Sequence, residues 1–179
     1  MSSLEHLNKA DNDQAFQLLE PLIERAPHVA IRVAEKRPFK NAEEIALAIA
    51  EELHSLDDES QISLFNSHPE LAPDKPLEMT HESQSEQNRL HLTSDFNAEI
   101  ARLKKLNLEY KEKFGFPFIT ALVRHDNLAS VLDEFKVRLS GNKKSEISNA
   151  IEQVVIVSKA RVLKNFDIAT KSGVSNETR

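Results

Sequence analysis

The stretch from Ala42 to Leu56 is AEEIALAIAEELHSL, and its apolar residues Ile45, Ala48, Ile49, Leu53 and Leu56 recur every three to four positions. That interval matches the 3.6-residue turn of an α-helix and gathers the five side chains on one face. The same period runs through Phe16, Leu19 and Ile23 and, towards the other end, through Ile147, Ile151, Val154 and Ser158. Extended along the chain, the pattern predicts helices at 13–25, 29–35, 42–56, 59–66, 83–92, 94–114, 129–139 and 144–166. Thr80 is an alternative start for the fifth. No strand is expected. The fold class is therefore all-α: a single-domain multi-helix bundle of about eight helices over residues 1–169, followed by a polar, disordered tail over 170–179.

Prolines punctuate this pattern. Pro27, Pro38, Pro69, Pro73, Pro76 and Pro117 each fall close to a predicted helix end, where a missing N–H and a fixed φ do least harm. The longest interruptions, Pro69 to Met79 and Phe114 to Asn127, are the places where a rigid helical scaffold would meet a ligand.

Composition narrows the function. The 179 residues include 40% hydrophobic and 29% charged side chains, as in an ordinary globular protein. With no cysteine there can be no disulfide, thiolate nucleophile or cysteine-held metal, which fits a reducing compartment. Three glycines form neither a dinucleotide fingerprint nor a phosphate loop. A net charge of −6 without a sustained basic cluster argues against nucleic acid but leaves room for an anionic small molecule held by one arginine. The chain has no apolar run of membrane-spanning length. Its start, MSSLEHLNKADND, lacks the apolar stretch of a secretory signal, so the expected location is cytoplasmic with no membrane partner.

Four features can carry chemistry, and each has a structural alternative. In Ser67-His68-Pro69-Glu70-Leu71-Ala72 the proline restricts the backbone of His68, whose imidazole suits proton transfer near neutral pH but could equally cap a helix. Ser83, Glu86 and Gln87 fall on one helix side, yet S-x-x-E is also the capping-box pattern. Phe114-Gly115-Phe116-Pro117-Phe118-Ile119 makes either an apolar pocket wall or a loop packed into the core. Arg161 continues the stripe Ile147, Ile151, Val154, Ser158, and so either points inward to grip a carboxylate or snorkels its charge out to water.

Taken in order, Ser67-His68-Pro69-Glu70-Leu71, Glu82-Ser83-Gln84-Ser85-Glu86-Gln87, Tyr110 and Lys113-Phe114-Gly115-Phe116-Pro117-Phe118-Ile119 resemble the 2-oxo-4-hydroxy-4-carboxy-5-ureidoimidazoline (OHCU) decarboxylase family. Leu7-Asn8, Arg37-Pro38-Phe39, Arg138-Leu139, Asn142, Glu146 and Arg161 extend the resemblance to about Phe166. It implies an all-α homodimer that needs no metal or organic cofactor and converts the ureide OHCU into (S)-allantoin in urate breakdown. By the same resemblance His68 is the catalytic histidine and Glu86 the carboxylate beside it. Pro69, Ser83, Gln87, Arg161 and the backbone of Phe118, Ile119, Thr120, Ala121, Leu122 and Val123 are substrate-binding positions. This chain departs from the family in Asn88-Arg89-Leu90-His91, where a small Ala-Gly pair is usual, so packing behind that helix is expected to differ. Two other readings compete: a non-enzymatic helical binding or scaffold protein, and a helical metalloenzyme. The second rests on Glu78-x-x-His81 alone, one motif where bundle metal sites use two.

Overall fold

The computed structural model describes residues 1–94 and 97–166; the expected tail at 170–179 lies outside them. The described residues form nine α-helices and no strand: α1 (Ser3–Lys9), α2 (Asn12–Leu19), α3 (Pro27–Glu35), α4 (Ala42–His54), α5 (Asp58–Ser67), α6 (His81–Arg89), α7 (Ala98–Phe114), α8 (Leu128–Leu139) and α9 (Lys143–Phe166). The all-α expectation holds, with one helix more than the periodicity gave. The addition is α1, too short for an apolar period to emerge, and started by a capping box between Ser2 and Glu5.

Side-chain caps explain most helix starts. Asp11, Asn41, Asp57, Thr80, Asn97 and Asn127 each accept a hydrogen bond from a backbone N–H in the first turn that follows. Ends follow local chemistry too. The expected helix from Asp13 to Arg25 stops at Leu19, because Pro21 sits in a 3₁₀ turn (Glu20–Leu22) and cannot donate to an α-helical ladder. Pro27 instead opens α3 at its first turn. At the end of α7, Gly115 adopts φ +82° and donates its N–H to the Lys111 carbonyl. The expected fifth helix begins and ends earlier than Ser83–Leu92: Thr80 is its cap, and the chain turns at Leu90 and His91, the latter at φ +58°.

The 24-residue α9 is the axis of the bundle. It packs most extensively along α4, and α5 and α7 also lie against it; α2 and α3 extend the layer from α4, while α8 pairs with α7. One continuous core of buried apolar residues runs from Leu7 to Phe166. Ile45, Ala48, Ile49 and Leu53 of the α4 stripe are all buried, and truncating a buried leucine such as Leu53 to alanine typically costs about 2–5 kcal/mol. At the other end of the core, Tyr110 is ringed by Phe114, Phe116, Phe118 and Phe135, with Phe118 stacked on Phe135 at 3.8 Å between ring centres.

The N-terminal segment is fastened by polar side chains. Asn8 donates to the Phe39 carbonyl and accepts from the Phe39 N–H, at 2.7 and 2.8 Å. Arg37 donates to the carbonyls of Leu7, Ala10 and Ala34. Leu7-Asn8 and Arg37-Pro38-Phe39 therefore serve the scaffold. Among the described residues no helix is long and apolar enough to cross a membrane.

Candidate active site

His68 follows the last residue of α5 and is held extended (φ −74°, ψ 145°) by Pro69. Its Nδ1 lies 2.8 Å from the Leu64 carbonyl, which can only accept, so Nδ1 carries the proton and Nε2 is the free ring nitrogen. Burial pushes the His68 pKa below its ordinary 6.5; the Leu64 carbonyl and the Glu24 carboxylate oppose this, and Arg161 and Arg25 reinforce it. At neutral pH the ring is uncharged, with Nε2 ready to accept.

Across the cleft, Arg161 is buried, the inward one of the two readings left open by its stripe. Its Nε donates to Glu86 at 2.6 Å, and its Nη1 donates to Glu24 and to the Pro21 carbonyl, both at 3.1 Å. Nη2 has Ser83 Oγ at 3.5 Å. Burial would lower the arginine pKa, but Glu86 and Glu24 outweigh it and hold the value above the ordinary one. Glu24 also accepts from the Thr80 hydroxyl at 2.8 Å, so the cap of α6 and the charge pair share an anion. The capping-box alternative does not hold: Thr80 is the cap, and the Glu86 carboxylate turns to Arg161 rather than to the start of its own helix.

Gln87, next to Glu86 on α6 and lining the same cleft, turns to the His68 loop. Its Oε1 accepts from the Ala72 N–H at 2.8 Å and its Nε2 donates to the Glu70 carbonyl at 3.0 Å. Ala72 has φ +50°, a left-handed conformation unfavourable for a residue with a Cβ. The amide thus fixes the turn that carries His68 and Pro69, and its role is to position that loop.

The remaining wall comes from the aromatic loop, where both readings of the motif are realised. Phe114 and Phe116 belong to the core, while Phe118, Ile119, Thr120 and Leu122 line the cleft. Arg138 braces this loop from behind: Nη1 donates to the Ile119 carbonyl at 2.6 Å, and the guanidinium lies 4.5 Å from the centre of the Phe118 ring. Nε of Arg138 donates to Glu146, which also accepts from the Tyr110 hydroxyl. Glu134 receives Arg138, Thr120 and His125; burial raises its pKa, and these partners outweigh that and hold it below the ordinary carboxylate value.

His68, Pro69, Ser83, Glu86, Gln87, Phe118, Ile119, Thr120, Leu122 and Arg161 thus come together around one cleft, although they are spread over nearly a hundred positions of sequence. Two expected positions do not. Ala121 faces α9, its N–H donated to Gln153 Oε1 at 3.1 Å, and Val123 is 60% exposed and borders a neighbouring groove. Val123 lies in the 3₁₀ turn at Leu122–Arg124, which directs Leu122 to the cleft and leaves Val123 exposed. Sequence reasoning missed Glu24, Val157 and Ser158, which also line the cleft. Helical periodicity carried Ser158 all along, three residues before Arg161; Glu24 left no comparable signal. The departure at Asn88–His91 also has a physical outcome. Arg89 donates to the carbonyls of Leu122 and His125, tying α6 to the wall of the cleft. Glu78 pairs with Lys75 on the surface, and among the described residues no three histidine, aspartate or glutamate side chains converge as metal ligands would.

Known proteins resemble the chain in sequence and in fold. The chain is 28% identical over 164 residues to the OHCU decarboxylase of Haloferax volcanii, spanning 92% of this chain and 96% of the relative. With the OHCU decarboxylase of Amia calva identity is 32% over 161 residues, spanning 89% and 91%. A crystal structure of OHCU decarboxylase in the presence of (S)-allantoin shares the fold, with a TM-score of 0.68 at 18% identity over 87% of this chain and 97% of that one. The OHCU decarboxylase family model matches residues 8–163, nearly the whole described chain, and the protein belongs to that family.

Proposed function

We propose that this protein decarboxylates OHCU to (S)-allantoin in urate breakdown, with His68 as the acid/base and Glu86 assisting. Family membership supports the reaction. The observation that carries the assignment of roles is the pairing of an uncharged, backbone-anchored His68 with the Glu86–Arg161–Glu24 cluster around one cleft.

The substrate carries its carboxylate on a carbon that also bears a hydroxyl and neighbours a C=N bond. When the carbon–carboxylate bond breaks, its electron pair forms a C=C bond and the imine pair moves onto nitrogen, so no cofactor is needed as electron sink. The product of that step is enediol-like. Carbon dioxide leaves and the nitrogen takes a proton from solvent; His68 Nε2 then removes the hydroxyl proton as the carbonyl forms, and a second solvent-derived proton reaches the neighbouring carbon from one side, which fixes the S configuration. Arg161 supplies a charged donor for the carboxylate, and Glu86, through its free oxygen, orients a polar N–H of the ureide. Pro69, Ser83, Phe118, Ile119, Thr120 and Leu122 shape the pocket, with Gln87 holding the loop in place.

The same reading includes a homodimer, implied by the family resemblance, and the cytoplasmic location expected from the sequence; sedimentation equilibrium tests the first. Circular dichroism during enzymatic urate oxidation tests the activity. Adding the protein is expected to yield a single enantiomer of allantoin, and a racemic product at the uncatalysed rate would overturn the proposal.

A further inference from the structure

The hydroxyl of Ser158 is buried at 2% exposure, lines the cleft, and has no hydrogen-bond partner in the protein. Apart from Arg138 Nη2, no other buried side-chain nitrogen or oxygen among the described residues lacks a partner. A buried hydroxyl without a partner is unfavourable for stability, and alanine at the same place would fill the helix as well. Nothing in the packing of α9 against its neighbours calls for a hydroxyl here.

Its surroundings indicate what it meets. Ser158 precedes Arg161 by three residues, so both side chains rise from one face of α9. Arg161 is the one permanent cation among the residues lining the cleft, and its Nε and Nη1 are already engaged by Glu86 and Glu24. Its Nη2, with only the long contact to Ser83, remains for an anionic oxygen. A neutral hydroxyl beside it complements a neutral acceptor.

We propose that Ser158 is a further substrate-binding and specificity residue, donating its hydroxyl proton to a neutral carbonyl oxygen of the ureide that is retained in the product. The inference rests on the proposed function, and it separates two of the ligand's oxygen-bearing groups: the departing carboxylate goes to Arg161 and a retained carbonyl to Ser158.

Ser158→Ala tests it with three readouts: thermal unfolding, KM for freshly generated OHCU, and Kd for (S)-allantoin by calorimetry. A melting temperature equal to or above wild type is expected, together with KM and Kd both raised roughly 5–10-fold, the effect of one neutral hydrogen bond. A purely structural hydroxyl would instead lower the melting temperature, or prevent folding, without changing the Kd of folded molecules; that result overturns the proposal. So does an unchanged Kd with an unchanged melting temperature. Wild-type protein run in parallel distinguishes the two claims. If it turns over OHCU and binds allantoin while the variant matches it, only the role of Ser158 fails; if wild type does neither, the proposed function fails and the role of Ser158 with it.

Discussion

Two buried arginines sit between paired carboxylates in this fold, and they differ in what their anions can reach. On α8, Arg138 is held by Glu146 at 2.9 Å and Glu134 at 3.2 Å, and Glu146 is fully buried. On α9, Arg161 is held by Glu86 at 2.6 Å and Glu24 at 3.1 Å, but 32% of the Glu86 side chain is accessible, and Glu86 lines both the cleft and the neighbouring groove. The first cluster is the more enclosed, with 17% of the Glu134 side chain accessible, and it clamps the aromatic loop through the Ile119 carbonyl. The second is open on one side and can exchange part of its hydrogen bonding with a ligand. One device, an arginine between two acids, serves as scaffold in one place and as candidate chemistry in the other, and the accessibility of a single carboxylate separates them.

The strongest test of that division is His68→Asn, on the open side. Turnover should fall by about 10²–10⁴-fold, the usual contribution of a positioned acid/base, while helical content and melting temperature at pH 7 stay near wild type. The pH dependence follows from its lowered pKa. Activity requires the neutral ring, so the acid limb of kcat/KM should lie below 6.5 and be absent from the residual rate of the variant. For stability the sign is also fixed: as pH falls below 6.5 the unfolded chain binds a proton that the folded chain refuses, so His68 makes the fold less stable. Melting curves between neutral and acidic pH should therefore fall less steeply for His68→Asn than for wild type.

Glu146→Ala probes the closed side. Removing one anion leaves Arg138 buried with its charge partly uncompensated and Tyr110 without its acceptor, and denaturant unfolding should register a loss of about 3–5 kcal/mol. Turnover per folded molecule should fall far less than for His68→Asn; a comparable fall would mean that the two clusters act as one unit. Arg161→Lys sharpens the contrast with the smallest effect. Lysine preserves the charge that Glu24 needs but cannot serve Glu86, Glu24 and a carboxylate through a planar fork, so freshly generated OHCU should bind roughly tenfold more weakly, read as a raised KM. Binding equal to wild type would remove Arg161 from the site.

Short-range patterns made most of the fold legible in the sequence. The α4 and α9 stripes act within a turn or two of themselves, and residues that close in sequence have few alternative partners. Pro21 marks the same principle from the other side: the apolar period ran through it, and backbone chemistry overrode the period. Arg161 was legible because the stripe could be extended to it. Glu24 was not, since its partner lies 137 residues away and nothing local distinguishes it from the chain's many surface acids. The S-x-x-E pattern failed for a related reason: Glu86 finds a better partner across the bundle in Arg161 than in its own helix, and Thr80 takes the cap. Gln87 could be placed beside the site by its spacing, but its hold on Ala72 depends on a turn no local pattern announced.

That hold makes the loop sensitive to the difference between an amide and an acid. Gln87 accepts from one backbone group with its oxygen and donates to another with its nitrogen, so the two ends of the amide are not interchangeable. A carboxylate of the same shape would keep the bond to the Ala72 N–H but set an oxygen against the Glu70 carbonyl, replacing attraction with repulsion inside a buried turn. A single-atom change, whether by Gln87→Glu or by slow deamidation as the protein ages, would thus loosen the His68 loop while leaving the volume of the core untouched.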